Sequence, residues 1–268
     1  MTESRIGFDL RPVDPRNRGM HRRRCLPRRA STAICSDMAL FTRPNDTRCS
    51  ENVHMYRSVA ESWASIVGWL QDHVPVAFER LEPPAAWSAV SAVREGMGRR
   101  LPSDLLAWLN LTNGIMRRGG FGHILPTLHT PLPCEEMLPR RERLRGIYAD
   151  HPRPGELEAA GSKSLEWLDL FLPISDSGTD VELFVDLREG DLYGCVGQFD
   201  APAGGFWAPR WISTADMLAD VADSLTLGLP ALQSYADRVS IPWSRMPAWL
   251  PYVDEGELWW SPATVQQT

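Results

Sequence analysis

Two clusters in this sequence hold side chains that could do chemistry. The first is acidic. Asp176, Asp180, Glu182 and Asp186 follow one another closely, and Asp200 lies a little further on. As metal ligands these carboxylates would have to converge on one point, and strand alternation brings only Glu182 and Asp186 to a common side. Turn-forming aspartates beside a solvated sheet face account for the same residues without any ligand. The second cluster is aromatic, Phe206-Trp207-Ala208-Pro209-Arg210-Trp211. Tryptophan and arginine dominate the binding energy of protein interfaces, and paired tryptophans also serve as core packing. Together the clusters give one candidate partner-binding set: Asp176, Asp180, Glu182, Asp186, Trp207, Arg210 and Trp211.

Other chemistries find less support. The six histidines are scattered, and His123 and His129 sit at neither helical nor zinc-motif spacing. The five cysteines, Cys25, Cys35, Cys49, Cys134 and Cys195, include no CxxC pair, so they read as free thiols. No GxSxG nucleophile turn and no HExxH helix occurs. Arg117-Arg118-Gly119-Gly120-Phe121-Gly122 lacks the order of a P-loop and follows no evident strand, so it reads as a turn. A chance pairing of Cys134 or Cys195 with a histidine stays open, but no catalytic residue, metal site or cofactor is assigned.

Charge separates the chain into two parts. Residues 1–54 hold eleven arginines against six acids, about +5, while the remainder carries 17 basic against 28 acidic side chains, about −11. An acidic body repels phosphates and argues against a nucleic-acid ligand. It suits a basic protein partner. No apolar run approaches the roughly 18–20 residues that span a membrane, and the N-terminal arginines are followed by no apolar signal segment. A cytoplasmic location is the expectation. Residues 1–54 read as a disordered Arg-rich extension, or as a mis-assigned start with translation beginning at Met55. A targeting peptide would carry fewer acids than Asp9, Asp14, Asp37 and Asp46 supply.

The elements that must position the candidate residues are helices followed by strands. Trp63, Ile66, Val67, Leu70 and Val74 follow a helical stripe that stops before Pro75. Pro83-Pro84 opens a second helix, with Ala86, Val90, Val93 and Met97 on one face. A third runs from Leu101-Pro102 to Asn113-Gly114. Leu101, Leu105, Trp108, Leu109 and Thr112 form its buried stripe, Asp104 complements its dipole, and Asn-Gly stops it. His123–Pro126 reads as a short strand. Pro133–Ala149 reads as a helix interrupted near Pro139, whose Arg140, Arg141, Arg143 and Arg145 form a solvated face; His151–Lys163 reads as a loop. Phe171–Ser175, Val181–Leu187 and Leu192–Phe199 read as three strands of an antiparallel meander, with Gly194 and Gly197 at bulges or close contacts. Ser213–Asp216 caps a last helix through Met217, Leu218, Val221, Ala222 and Leu225, closed by Gly228. Residues 229–251 look irregular, and Gly256–Trp260 reads as a terminal strand.

The ordered set carries a family resemblance. Leu101-Pro102, Leu105, Trp108-Leu109 and Asn113-Gly114 are followed by FLPIS at 171–175, LFVDLR at 183–188, GCVGQF at 194–199, the Trp207–Trp211 segment and the capped helix. Over most of residues 55–260 this succession resembles the SUKH superfamily, which takes in fungal Smi–Knr-type cell-wall regulators and bacterial immunity proteins. Trp207–Trp211 matches the family's aromatic segment before the last helix, and Asp186 a recurrent strand-end acid. The resemblance implies an α+β fold of helices around a small antiparallel sheet, spanning 55–262, with 263–268 as a tail. It also implies a non-enzymatic, protein-binding role, most concretely an immunity protein that neutralises a partner toxin, often a nuclease. The alternative is a regulatory scaffold in cell-wall or signalling assemblies. A third class, a small-molecule or metal-dependent enzyme, would need a polar pocket with convergent carboxylates or histidines. The Arg-rich leader has no counterpart in the family.

Overall fold

The structure, a computed structural model, describes residues 57–116, 122–233, 235 and 248–263. The Arg-rich segment, Arg117–Phe121 of the glycine-rich stretch and nearly all of the tail lie outside the described residues. The chain divides into two units, Met1–Asn52 and Val53–Thr268, and every described residue belongs to the second. Among the described residues, no helix is long and apolar enough to cross a membrane.

The second unit is α+β. Its helices are α1 (Val59–His73), α2 (Pro75–Glu79), α3 (Trp87–Met97), α4 (Ser103–Leu109), α5 (Cys134–Ile147) and α6 (Thr214–Leu227). Its strands are β1 (Thr130–Pro131), β2 (Phe171–Pro173), β3 (Ser175–Asp176), β4 (Val181–Asp186), β5 (Val196–Asp200), β6 (Pro209–Trp211), β7 (Trp249–Asp254) and β8 (Glu257–Pro262). The central antiparallel sheet has the order β2-β4-β5-β6, while β1 pairs β3 and β7 pairs β8. The expected meander thus gains β6 as a fourth strand. Phe171–Ser175 is not one strand: it breaks at Ile174, and its end leaves the sheet to pair with β1. The third strand starts at Val196 rather than Leu192, because residues 191–194 are a turn. His123–Pro126 forms no strand, only a single bridge from Leu125 to His129. The terminal strand has a partner in β7.

Local signals explain the helix ends. Ser58 and Glu61 form a reciprocal capping box at α1. Val74 closes that helix, and Pro75 restarts the chain as α2. The second expected helix begins at Trp87, so Ala86 is its cap rather than part of its face. Ser213 Oγ accepts from the Asp216 N–H at 3.0 Å to start α6, and Gly228 ends it with φ of 67°.

The Leu-Pro helix departs from its expected role in an informative way. Leu101, Leu105, Trp108, Leu109 and Thr112 are all buried, as the stripe requires. The helix nevertheless stops at Leu109, before Asn113-Gly114. Asn113 instead caps α5: its Oδ1 accepts from the Cys134 N–H at 2.9 Å, and its amide donates to Glu135 at 2.9 Å. Asp104 also reaches across, accepting from the Ala215 N–H at 3.0 Å in the first turn of α6. Gly114 has φ of 79°, and a Cβ there would lie 2.7 Å from the Leu132 backbone. Gly114→Ala is therefore expected to destabilise the fold by more than about 1 kcal/mol, read as a lower urea midpoint at unchanged slope.

Both faces of the central sheet are covered. Leu172, Leu183, Val185, Val196 and Trp211 face the main core, built with α1, α3, α4 and α6. Phe171, Phe184, Phe199 and Phe206 face a second core with Trp167, Leu168 and Leu144. Phe184 stacks on Phe171 at 3.9 Å between ring centroids, and Trp167 meets Phe171, Phe184 and Phe199 edge-on. Gly197 is small because a Cβ there would lie 2.5 Å from the Phe184 ring, and the β5–β6 register shifts beside it. The face expected to be solvated is thus dry.

Candidate functional site

Three members of the acidic cluster do not reach solvent as expected. Asp176, Glu182 and Asp186 are 4%, 1% and 0% exposed, and Trp211 is 1% exposed. The second core covers the sheet face that carries Glu182 and Asp186, so neither these carboxylates nor Trp211 can touch a partner in this state. Trp211 instead donates to Asp220 at 2.9 Å inside the main core.

Asp176 and Glu182 do converge, but on a guanidinium. Arg140 Nη2 donates to Asp176 Oδ1 at 2.7 Å, and Arg140 Nε donates to Glu182 Oε1 at 3.0 Å. α5 runs unbroken through Pro139, contrary to expectation, and delivers Arg140 to this point. Nor is its arginine face solvated. Arg141 is buried with Nε on the Asp169 carbonyl at 2.8 Å, Arg145 pairs with Asp169, and Arg143 is the member of the set left 60% exposed. Tertiary anchoring of this kind overrides the weak periodicity of the helix and the one N–H that Pro139 removes.

Burial pushes the Glu182 carboxyl up to about 7, against the lowering by Arg140, and its Oε2 has no hydrogen-bond partner. The folded value exceeds the ordinary 4.5, so this group's stabilising contribution is full below that value and is lost as pH rises through about 7. Wild type is expected to gain stability relative to Glu182→Gln as pH falls from about 8 to about 5. Urea titrations of both proteins across that window check it; parallel curves would refute it.

Beside this cluster, Ser175 Oγ accepts from the Leu183 N–H at 3.1 Å and shares a hydrogen bond with His129 Nδ1 at 2.9 Å. The pair resembles a nucleophile and its base, yet both residues are fully buried. Burial holds His129 neutral, pushed down to about 3. It fastens β3 to the 125–129 turn. Cys134 and Cys195 are buried free thiols, both pushed upward by burial, Cys134 to about 11. Among the described residues, no group of three or more His, Cys, Asp or Glu could hold a metal ion.

Asp186 has a different partner. Its Oδ2 accepts from Arg188 Nη2 at 2.7 Å and from the Gly161 N–H at 2.9 Å. Arg188 Nη1 and Nη2 donate onward to the carbonyls of Gly155 and Ser162, each at 2.7 Å. The guanidinium lies 5.1 Å from the Phe171 ring centroid and is 1% exposed. One buried fork therefore fixes the segment 154–164, read from sequence as a loop, onto the sheet.

The surface candidates lie at the end of β4 and β5. The Ala201 N–H donates to the Asp180 carbonyl at 3.2 Å, and Trp207 Nε1 donates to the Ala203 carbonyl at 3.2 Å, so the 200–205 turn has Asp180 on one side and Trp207 on the other. Asp180 is exposed, and Trp207 is 56% exposed. Arg210 is half-buried, its guanidinium pushed down to about 10 by burial and supported by the Asp200 charge. Ser164 bridges Phe206 antiparallel, with both side chains buried. Alternation then turns Lys163, Leu165 and Trp207 outward together. Leu165 is 54% exposed. The charges of Asp180 and Glu166 both act on the Tyr148 phenol, which burial first pushes upward.

Of the candidate set, Asp180 and Trp207 lie at the surface, while the sequence left Trp207 open between core packing and an interface and did not single out Arg140, Leu165 or Arg188 as site residues. Only Arg188 left a trace, as a charge in a strand whose alternation already held Phe184 on the same side. No model of a protein family matches the chain, and no curated protein matches it.

Proposed function

We propose that the chain is a non-enzymatic protein-binding domain, most concretely a cytoplasmic immunity protein that neutralises a basic partner toxin by direct contact. The observation that carries this reading is the exposure of Leu165 and Trp207 on two segments joined by the Ser164–Phe206 bridge, with the exposed Asp180 across the 200–205 turn from Trp207. A large exposed indole and an exposed aliphatic side chain are the material of an interface anchor. The surrounding acids, on a body of about −11, steer a basic partner toward it. The resemblance to the SUKH superfamily supports the same reading.

The test is an affinity capture from the native host with the full chain, resolved by mass spectrometry at low and high salt. The expected result is one basic protein, released at high salt, whose toxicity in cells is relieved by co-expressing this chain. Capture of several wall-synthesis or signalling proteins would instead support the scaffold role. Trp207→Ala is expected to weaken capture of the partner about tenfold or more while leaving the thermal midpoint within about 2 °C.

A further inference from the structure

An open groove of about 400 Å³ runs between residues 154–158 and residues 162–166. Glu158 and Glu166 line it, Lys163 is the single basic side chain there, and Leu165 forms an apolar wall. Leu157, 94% exposed, stands on the adjoining short helical turn Pro154–Leu157, and Trp207 stands beside Lys163 across the Ser164–Phe206 bridge. The groove is not a loose loop pair. The Gly155 and Ser162 carbonyls on its two sides are held by one buried guanidinium, that of Arg188, itself locked by Asp186. Gly155 also packs against Ser164 and Leu168, where a Cβ would meet Ser164 Oγ at 3.0 Å. A groove held open in this way requires little ordering when a ligand enters.

We infer that this groove is a preformed docking site for an extended segment of the partner protein, one that carries a large apolar side chain next to arginine or lysine. The inference rests on the protein-binding reading and names the part of the partner that the surface takes. The apolar side chain packs against Leu165, and its basic neighbour faces Glu158 and Glu166. The charge balance of the groove, two carboxylates against one ammonium, selects a basic segment over an acidic one.

The probe is a fluorescein-labelled ten-residue peptide of alternating arginine and leucine, titrated against the full chain by anisotropy. An arginine–serine peptide and a glutamate–leucine peptide are run beside it. The arginine–leucine peptide is expected to bind about tenfold or more tighter than either control. Leu165→Asp and the double change Glu158→Gln/Glu166→Gln are each expected to weaken it about tenfold, with circular dichroism and melting unchanged. Val253→Asp, on the exposed face of the β7–β8 hairpin, should leave it unchanged. Equal binding of the arginine–leucine and arginine–serine peptides, or full binding by Leu165→Asp, overturns the groove. A captured partner that binds Leu165→Asp as tightly as wild type overturns the groove and leaves the protein-binding reading standing. Capture of no protein by wild type overturns that reading itself.

Discussion

Arg140→Leu is expected to destabilise the fold by about 3–5 kcal/mol at pH near 8, the scale for removing one partner from a buried ion pair. The substitution removes the guanidinium on which Asp176 and Glu182 converge and leaves both carboxyls buried. Glu182 already sits at about 7 with Arg140 in place, so without it the carboxyl moves further up and stays protonated in the folded state to higher pH. The deficit should therefore shrink as pH falls from about 8 to about 5. Arg140→Leu/Glu182→Gln should recover part of the loss at the higher pH and show a smaller change with pH. Urea unfolding of the three proteins at both pH values is the measurement. A deficit below about 1 kcal/mol, or one that does not change with pH, would show that the cluster is solvated in solution. Because Asp176 Oδ1 also accepts from the Gly178 N–H at 2.8 Å, the variant should also loosen the turn that presents Asp180.

That arginine shows where the sequence stops being legible. Leu105, Trp108 and Leu109, Met217 and Leu218, and Val185 all went to the core as their periodicity required, because burial of a stripe is a local property of spacing. The α+β class follows from the same patterns. Arg140 and Arg143 lie on one helix with nearly the same neighbours in sequence, yet the first side chain is 14% exposed and the second 60%. What separates them is that Arg140 hydrogen-bonds Asp176 and Glu182, 36 and 42 residues away, whereas Arg143 reaches Glu182 only at 4.0 Å, and no local pattern carries that information. The alternation of β4 misled for a related reason. Glu182, Asp186 and Arg188 made one face look wet, while Phe184 on that same face belonged to an aromatic layer completed by Trp167, Phe171, Phe199 and Phe206 from other segments. Ion pairing across the fold allows a dry layer to hold charges. Leu165 illustrates the opposite case, on which the sequence carried no reading. Its exposure is set by the bridge between Ser164 and Phe206, which turns a residue of apolar type outward.

Arg188→Met is the sharper test of how the buried charges and the surface are connected. The substitution keeps an unbranched apolar stem and removes every side-chain donor. Asp186, fully buried, would retain the Gly161 N–H and the residue-188 N–H, at 2.9 and 3.0 Å, and no counter-charge. The carbonyls of Gly155 and Ser162 would lose their bonds to the fork as well. An unpaired buried carboxylate together with these losses predicts destabilisation of about 3–5 kcal/mol. Asp186→Asn/Arg188→Met should be less destabilised than Arg188→Met alone, since the stranded charge is then gone. Arg188→Lys separates charge from geometry. A lysine keeps the charge opposite Asp186, but its compact ammonium cannot span two carbonyls as a planar fork does. It is expected to fold with a smaller loss, to gain protease sensitivity within residues 154–164, and to bind the arginine–leucine peptide more weakly than wild type. The last two of those readouts move only if the fork shapes the groove. A lysine variant that is less stable but protease-resistant, with unaltered peptide affinity, would confine Arg188 to the core. The expected pattern instead makes Asp186 and Arg188 parts of the binding surface without contact with the partner, acting through the backbone they hold.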